Sequence, residues 1–190
     1  MRIPPLVWQN ALITFVLSII LGTVLGLIAS LPYLASVVLL LAFIVVGILF
    51  DMIGVAVAAA DEGPLHAMGA DRVGGSGQAV WLVRRAGMVA NICNDVVGDV
   101  SNTISGAITI SLAAALAVRL RLDGSLLSIL VVALTAAATV GGKALGKVYA
   151  LKKPHAVVVA LGRVLSWLGW PGGSRSRRPR PGRKAQGRRY

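Results

Sequence analysis

The chain has 190 residues, of which 56% are hydrophobic and 14% charged, with a mean hydropathy of +0.80. That balance excludes an ordinary soluble domain and points to an integral membrane protein. The net charge of +12 is not a nucleic-acid signal, because eight of the basic residues lie in Pro171–Tyr190 with no acid among them, which leaves about +4 for the rest.

No charged residue occurs between Arg2 and Asp51. A bilayer core takes roughly 20 apolar residues per helix, so this stretch holds two spans. The break falls at "SLPY", where Pro32 can open a helix and Tyr33 can anchor at an interface. The expected spans are about 10–31 and 33–57. A cleaved signal peptide is the competing reading of the first, but a single basic residue and an overlong apolar run argue against it. Residues 61–85 are polar and of mixed charge, and "GGSG" at 74–77 divides them into two short helices. A third span is expected over about 86–118 and a fourth over about 125–142, joined by the polar turn "RLRLDG". The following stretch, 143–170, opens with Lys143, Lys147, Lys152 and Lys153, and its end is too short to span and is interrupted by Arg163. Its last part, "HAVVVALGRVLSWLGW", reads as an interfacial helix anchored by Trp167 and Trp170. Residues 171–190, rich in Arg, Gly and Pro, read as a disordered tail. The expected architecture is therefore an all-α integral membrane protein with four transmembrane helices, juxtamembrane helices and a C-terminal interfacial helix. Domain 1–170 precedes the basic tail.

Basic residues favour the cytoplasmic side, which places both termini and 61–85 inside a plasma-membrane protein, with Arg119 and Arg121 against the trend. The tail could hold anionic lipid at about 1 kcal/mol per basic residue. One cysteine, Cys93, allows no internal disulfide, and two distant histidines make no zinc site. No nucleophile–base pair is visible, so an enzyme is not expected. "GGKALGKV" resembles a phosphate-binding loop, but Val148 stands where Ser or Thr belongs and no strand precedes it.

The chemistry-bearing segment is "NICNDVVGDVSN", Asn91–Asn102. On a helix, Asn91, Asn94, Asp95, Gly98, Asn102, Ser105, Gly106 and Thr109 share one face; Asp99 lies in the same stretch. Ionised groups at a bilayer centre cost about 2.5–3.5 kcal/mol each on insertion scales. Such a stripe therefore faces a polar interior, either as helix glue or as an ion site. Asp51 is followed by nine uncharged residues, and Lys143 ends the fourth apolar run. These two converge with the stripe if the spans pack together; as boundary residues they would instead snorkel to water.

"GVAVAAADEGPLHAM", "NICNDVVGD" and "GGKALGKVYALKKP" together resemble the transmembrane domain of the CorB/CorC and cyclin-M (CNNM) magnesium transporters, over about residues 35–170. Asp61 and Leu65 match the close of that family's first motif, which puts Asp51 at its ligand serine. Asn94 and Asp95 match the paired asparagines of its second motif. Gly142, Lys143, Gly146 and Lys147 fall on the Gly, Glu, Pro and Lys of its third. The resemblance implies magnesium transport, oxygen ligands from Asp51, Asn94 and Asp95, and a homodimer. The extra N-terminal span and the lack of the nucleotide-binding CBS pair depart from the family. So does Lys143, a cation where a carboxylate is expected; it implies an Asp51–Lys143 ion pair, acting as a gate in a transporter or as a structural lock in a non-transporting scaffold.

Overall fold

A computed structural model describes residues 5–28, 32–121 and 124–170. These are mostly helical, with no strand among them: α1 (Pro5–Ile28), α2 (Tyr33–Ala59), α3 (Glu62–Ala70), α4 (Ser76–Val83), α5 (Ala86–Asn91), a π-helical segment (Ile92–Gly98), α6 (Asp99–Leu120), α7 (Gly124–Lys152) and α8 (Pro154–Trp167). Three helices are long and apolar enough to cross a membrane: Tyr33–Ala59, Ala86–Leu120 (α5, the π segment and α6 in one rod) and Ser125–Lys152. Helices of sufficient length and apolarity thus cover the expected second and third spans, each slightly longer. The fourth does not stop at Gly142, because α7 runs on to Lys152. Ala144, Leu145 and the lysines there are good helix formers, and no proline intervenes before Pro154. The "GGKALGKV" motif is consequently helix and not a loop. The basic tail, 171–190, lies outside the described residues, as do 122–123 of the polar turn and 29–31 of the first break.

Pro32, with φ −56° and ψ 146°, precedes α2 as the sequence suggests, and Pro154 opens α8. α2, α6 and α7 pack on one another. α2 buries Leu40, Ile44, Gly47, Asp51 and Gly54, a three–four spacing that marks a single seam. Its first half packs Leu40 and Ile44 against Val100, Ile104, Ile108 and Leu112 of α6. On α7, Gly142 and Gly146 form a small-xxx-small notch that receives Ile48 and Met52 of α2. The outward faces carry large exposed apolar side chains, among them Leu34, Leu41, Val118, Leu130 and Leu134, as expected where lipid is the solvent.

The "GGSG" break is real and separates α3 from α4. At one end of the bundle α3, α4 and α8 cap α2 and α7 through a second core that includes Val57, Leu65, Leu82, Ala150 and Val158. Arg84 Nε donates to Glu62 at 3.0 Å, and His66 lies 3.5 Å from the same oxygen. The Arg84 hydrogen bond holds the Glu62 carboxyl below its usual range. α8 buries Val157–Val159 and Gly162 against this layer.

Candidate cation site

Asp51 is the buried carboxylate of the bundle, only 6% exposed. It sits on the α2 seam between Gly47 and Gly54. Both glycines serve close approach: Gly47 faces Ser101 of α6, and Gly54 faces the amide of Asn94 in the π segment. Asn94 therefore lies against α2 one turn from Asp51. Asp51 Oδ2 and Asn94 Oδ1 are both buried without a hydrogen-bond partner. A buried polar atom left so costs about 1–3 kcal/mol. The π turn widens the helix beside them, as π turns at functional sites often do.

The ammonium that reaches Asp51 belongs to Lys147 and not to Lys143: Lys147 Nζ lies 3.3 Å from Asp51 Oδ2. This is an ion-pair distance without hydrogen-bond alignment, which is why the oxygen still counts as unbonded. The Lys147 side chain is half exposed. Lys143, one turn earlier, instead borders a groove of about 300 Å³ between α6 and α7 with Asn102, Ser105, Thr109 and Thr139. The correction follows from the longer α7: once the helix continues, positions 143 and 147 share a face, and the Gly142–Gly146 notch lets Lys147 reach α2.

The stripe splits in two. Gly98, Ser105 and Thr109 are buried, and Asn94 lies partly so. Ser105 and Thr109 each donate their hydroxyl to the carbonyl four residues back, which satisfies them locally. Asp95, Asp99 and Asn102 are exposed on the neighbouring face. Asn91 Nδ2 donates to Asp95 Oδ2, so the expected ligand Asp95 is turned outward and bonded along its own helix. Cys93 is a buried thiol, in keeping with a packing role. Among the described residues no group of three or more His, Cys, Asp or Glu gathers as a metal centre. The oxygen donors assembled are one carboxylate and one amide.

Sequence reasoning missed Lys147, Ser101 and the two seam glycines. The three–four spacing from Leu40 to Gly54 was the available signal. A test follows from the Gly54 contact. In Gly54→Ala the new methyl overlaps the Asn94 amide, the movable end of a side chain, so Asn94 turns away. Stability should fall by no more than about 1 kcal/mol, while cation binding weakens at least tenfold, as read by calorimetric titration. Unchanged binding would place Asn94 outside the site.

No protein-family model, no curated protein and no solved structure matches this chain.

Proposed function

We propose that the chain is a multi-pass membrane protein of the CorB/CNNM type that binds a divalent cation, with magnesium as the ion it carries. Asp51 and Asn94 serve as protein ligands and Lys147 as a built-in counter-ion. The observation that carries this reading is the pair of buried, unbonded oxygens, Asp51 Oδ2 and Asn94 Oδ1, on facing helices. Magnesium favours hard oxygen donors and keeps several waters, so one carboxylate and one amide suffice as protein ligands. Position agrees. Asp51 lies eight residues, about 12 Å along the axis, from the α2 end that α3, α4 and α8 cover. That depth is near the membrane boundary, where a hydrated ion can enter and a lysine can withdraw its head to water. The cation enters as the ammonium leaves, so the site never holds three positive charges against the single carboxylate of Asp51.

In this reading α1, 24 residues without a charge, serves as a fourth span, and the basic residues near both termini favour the cytoplasmic side for them. A homodimer would cover the exposed Asp95, Asp99 and Asn102. The tail would rest on anionic lipid, and neither nucleic-acid binding nor catalysis belongs to this reading. A second reading has its own observation: the Lys147–Asp51 pair at 3.3 Å suits a non-transporting scaffold in which the ion pair only locks α2 to α7.

Titration of the detergent-purified chain with magnesium separates the two. The cation reading expects binding in the wild type, its loss in Asp51→Asn, and at least tenfold tighter binding in Lys147→Gln. No heat in the wild type or in Lys147→Gln leaves the scaffold.

A further inference from the structure

A second site lies outside the bundle and does not rest on the cation reading. α3 and α4 diverge to leave a cleft of about 810 Å³. It is lined by Arg84, Arg85, His66 and Trp81, and by Ser76 and Gly77 of the first α4 turn. We propose that this cleft binds the phosphate headgroup of an anionic phospholipid.

The arginines differ in how they are engaged. Arg84 commits its Nε to Glu62. Arg85 forms no ion pair among the described residues; its guanidinium carbon lies 4.5 Å from the centroid of the Trp81 ring. Stacking uses the face of a guanidinium and leaves its in-plane N–H donors directed outward, the fork that matches phosphate oxygens. Ser76 is more than nine-tenths buried and lines the cleft, and no side chain caps α4. Ser76 donates its own N–H to Val73 O at 3.3 Å, so what the first turn can offer an anion is the Ser76 hydroxyl and the Gly77 N–H. Lipid is favoured over a soluble phosphate by location. Trp81 meets Trp170 edge to face at 6.1 Å, a pair suited to the headgroup layer. The cleft also lies in the helical layer that caps the spans, where headgroups would reach it.

The full chain in mild detergent would be titrated with phosphatidylglycerol, phosphatidylcholine and inorganic phosphate, with bound lipid counted by native mass spectrometry. Saturable retention of phosphatidylglycerol, weakened at least tenfold in Arg85→Gln and in Ala70→Trp, is the expected result. Ala70→Trp fills the cleft wall without changing charge, so it separates this site from diffuse attraction to the basic tail. Helicity and melting of both variants check their folding. Equal retention of phosphatidylcholine, or wild-type retention by both variants, overturns the proposal. Displacement of the lipid by millimolar inorganic phosphate overturns the lipid assignment in favour of a soluble anion.

Discussion

Lys147→Gln is expected to lower stability by about 2 kcal/mol, against less than about 0.5 kcal/mol for Lys143→Gln. Removing one partner of a fully buried ion pair costs about 3–5 kcal/mol, because the remaining charge has no compensation. Asp51 approaches that limit, but the Lys147 side chain is half exposed, so water screens part of the loss. Asp51→Asn should cost less than Lys147→Gln, since it removes the buried charge itself. The double variant should melt above the additive value, with a coupling of about 1–2 kcal/mol in a double-mutant cycle. Thermal unfolding in detergent, followed by helicity, measures all four proteins. Additive effects would mean that the pair contributes no energy.

The same variant links stability to binding. With its ammonium gone, Asp51 is left as a buried, unpaired carboxylate one helical turn from the Gly54–Asn94 contact. Magnesium at 100 times its dissociation constant should then raise the stability of Lys147→Gln by about 2.7 kcal/mol, recovering what the substitution removed. In the wild type the gain is smaller, because the cation must first displace Lys147. A loss that magnesium does not restore would leave the ion pair as a structural lock.

Much of the helical frame was legible in sequence because long uncharged runs report bilayer-length helices by composition alone. The start of α2 at Tyr33, the start of the third span at Ala86 and the break at "GGSG" follow from Pro32, Arg85 and the glycines. What was not legible depends on phase and continuity. Charge at Lys143 ends an apolar run without ending a helix, so α7 was cut ten residues short. With it went the residue that reaches Asp51. The π segment is a local backbone choice that no spacing in "NICNDVVGD" announces. Asn94 could be placed on a polar face, but Asp95 could not be assigned outward until the packing against Gly54 was known. Ser101 belongs to the polar stretch "NICNDVVGDVSN", but its packing against Gly47 depends on which face of the helix meets α2.

Gly162→Ala should be a severely damaging single methyl, at about 3 kcal/mol or more. Overpacking costs about 1–3 kcal/mol where neighbours can shift, and here the neighbours are backbone. A Cβ on Gly162 would overlap the Gly75 carbonyl oxygen and come within 3.1 Å of Ala79 N. Those two atoms share the 2.9 Å hydrogen bond that starts α4, so the methyl would wedge into it. Gly75 cannot yield easily: its φ of +85° is a left-handed conformation, and its own α-carbon faces the Gly162–Arg163 backbone. The outcome is that α8 lifts from α4, which uncovers Val158 and breaks the bond from Arg163 Nε to Gly74 O. Gly141→Ala is the control. Nothing lies within 4 Å of its added Cβ, and alanine is favoured over glycine inside a helix by about 0.5–1 kcal/mol. It should melt at or above the wild type. Hydrogen exchange should report α8 amides opening in Gly162→Ala while α2 amides stay protected, since the seam from Leu40 to Gly54 does not touch this crossing. Equal melting of the two alanine variants would show that the α4–α8 contact does not hold the layer that carries the α3–α4 cleft.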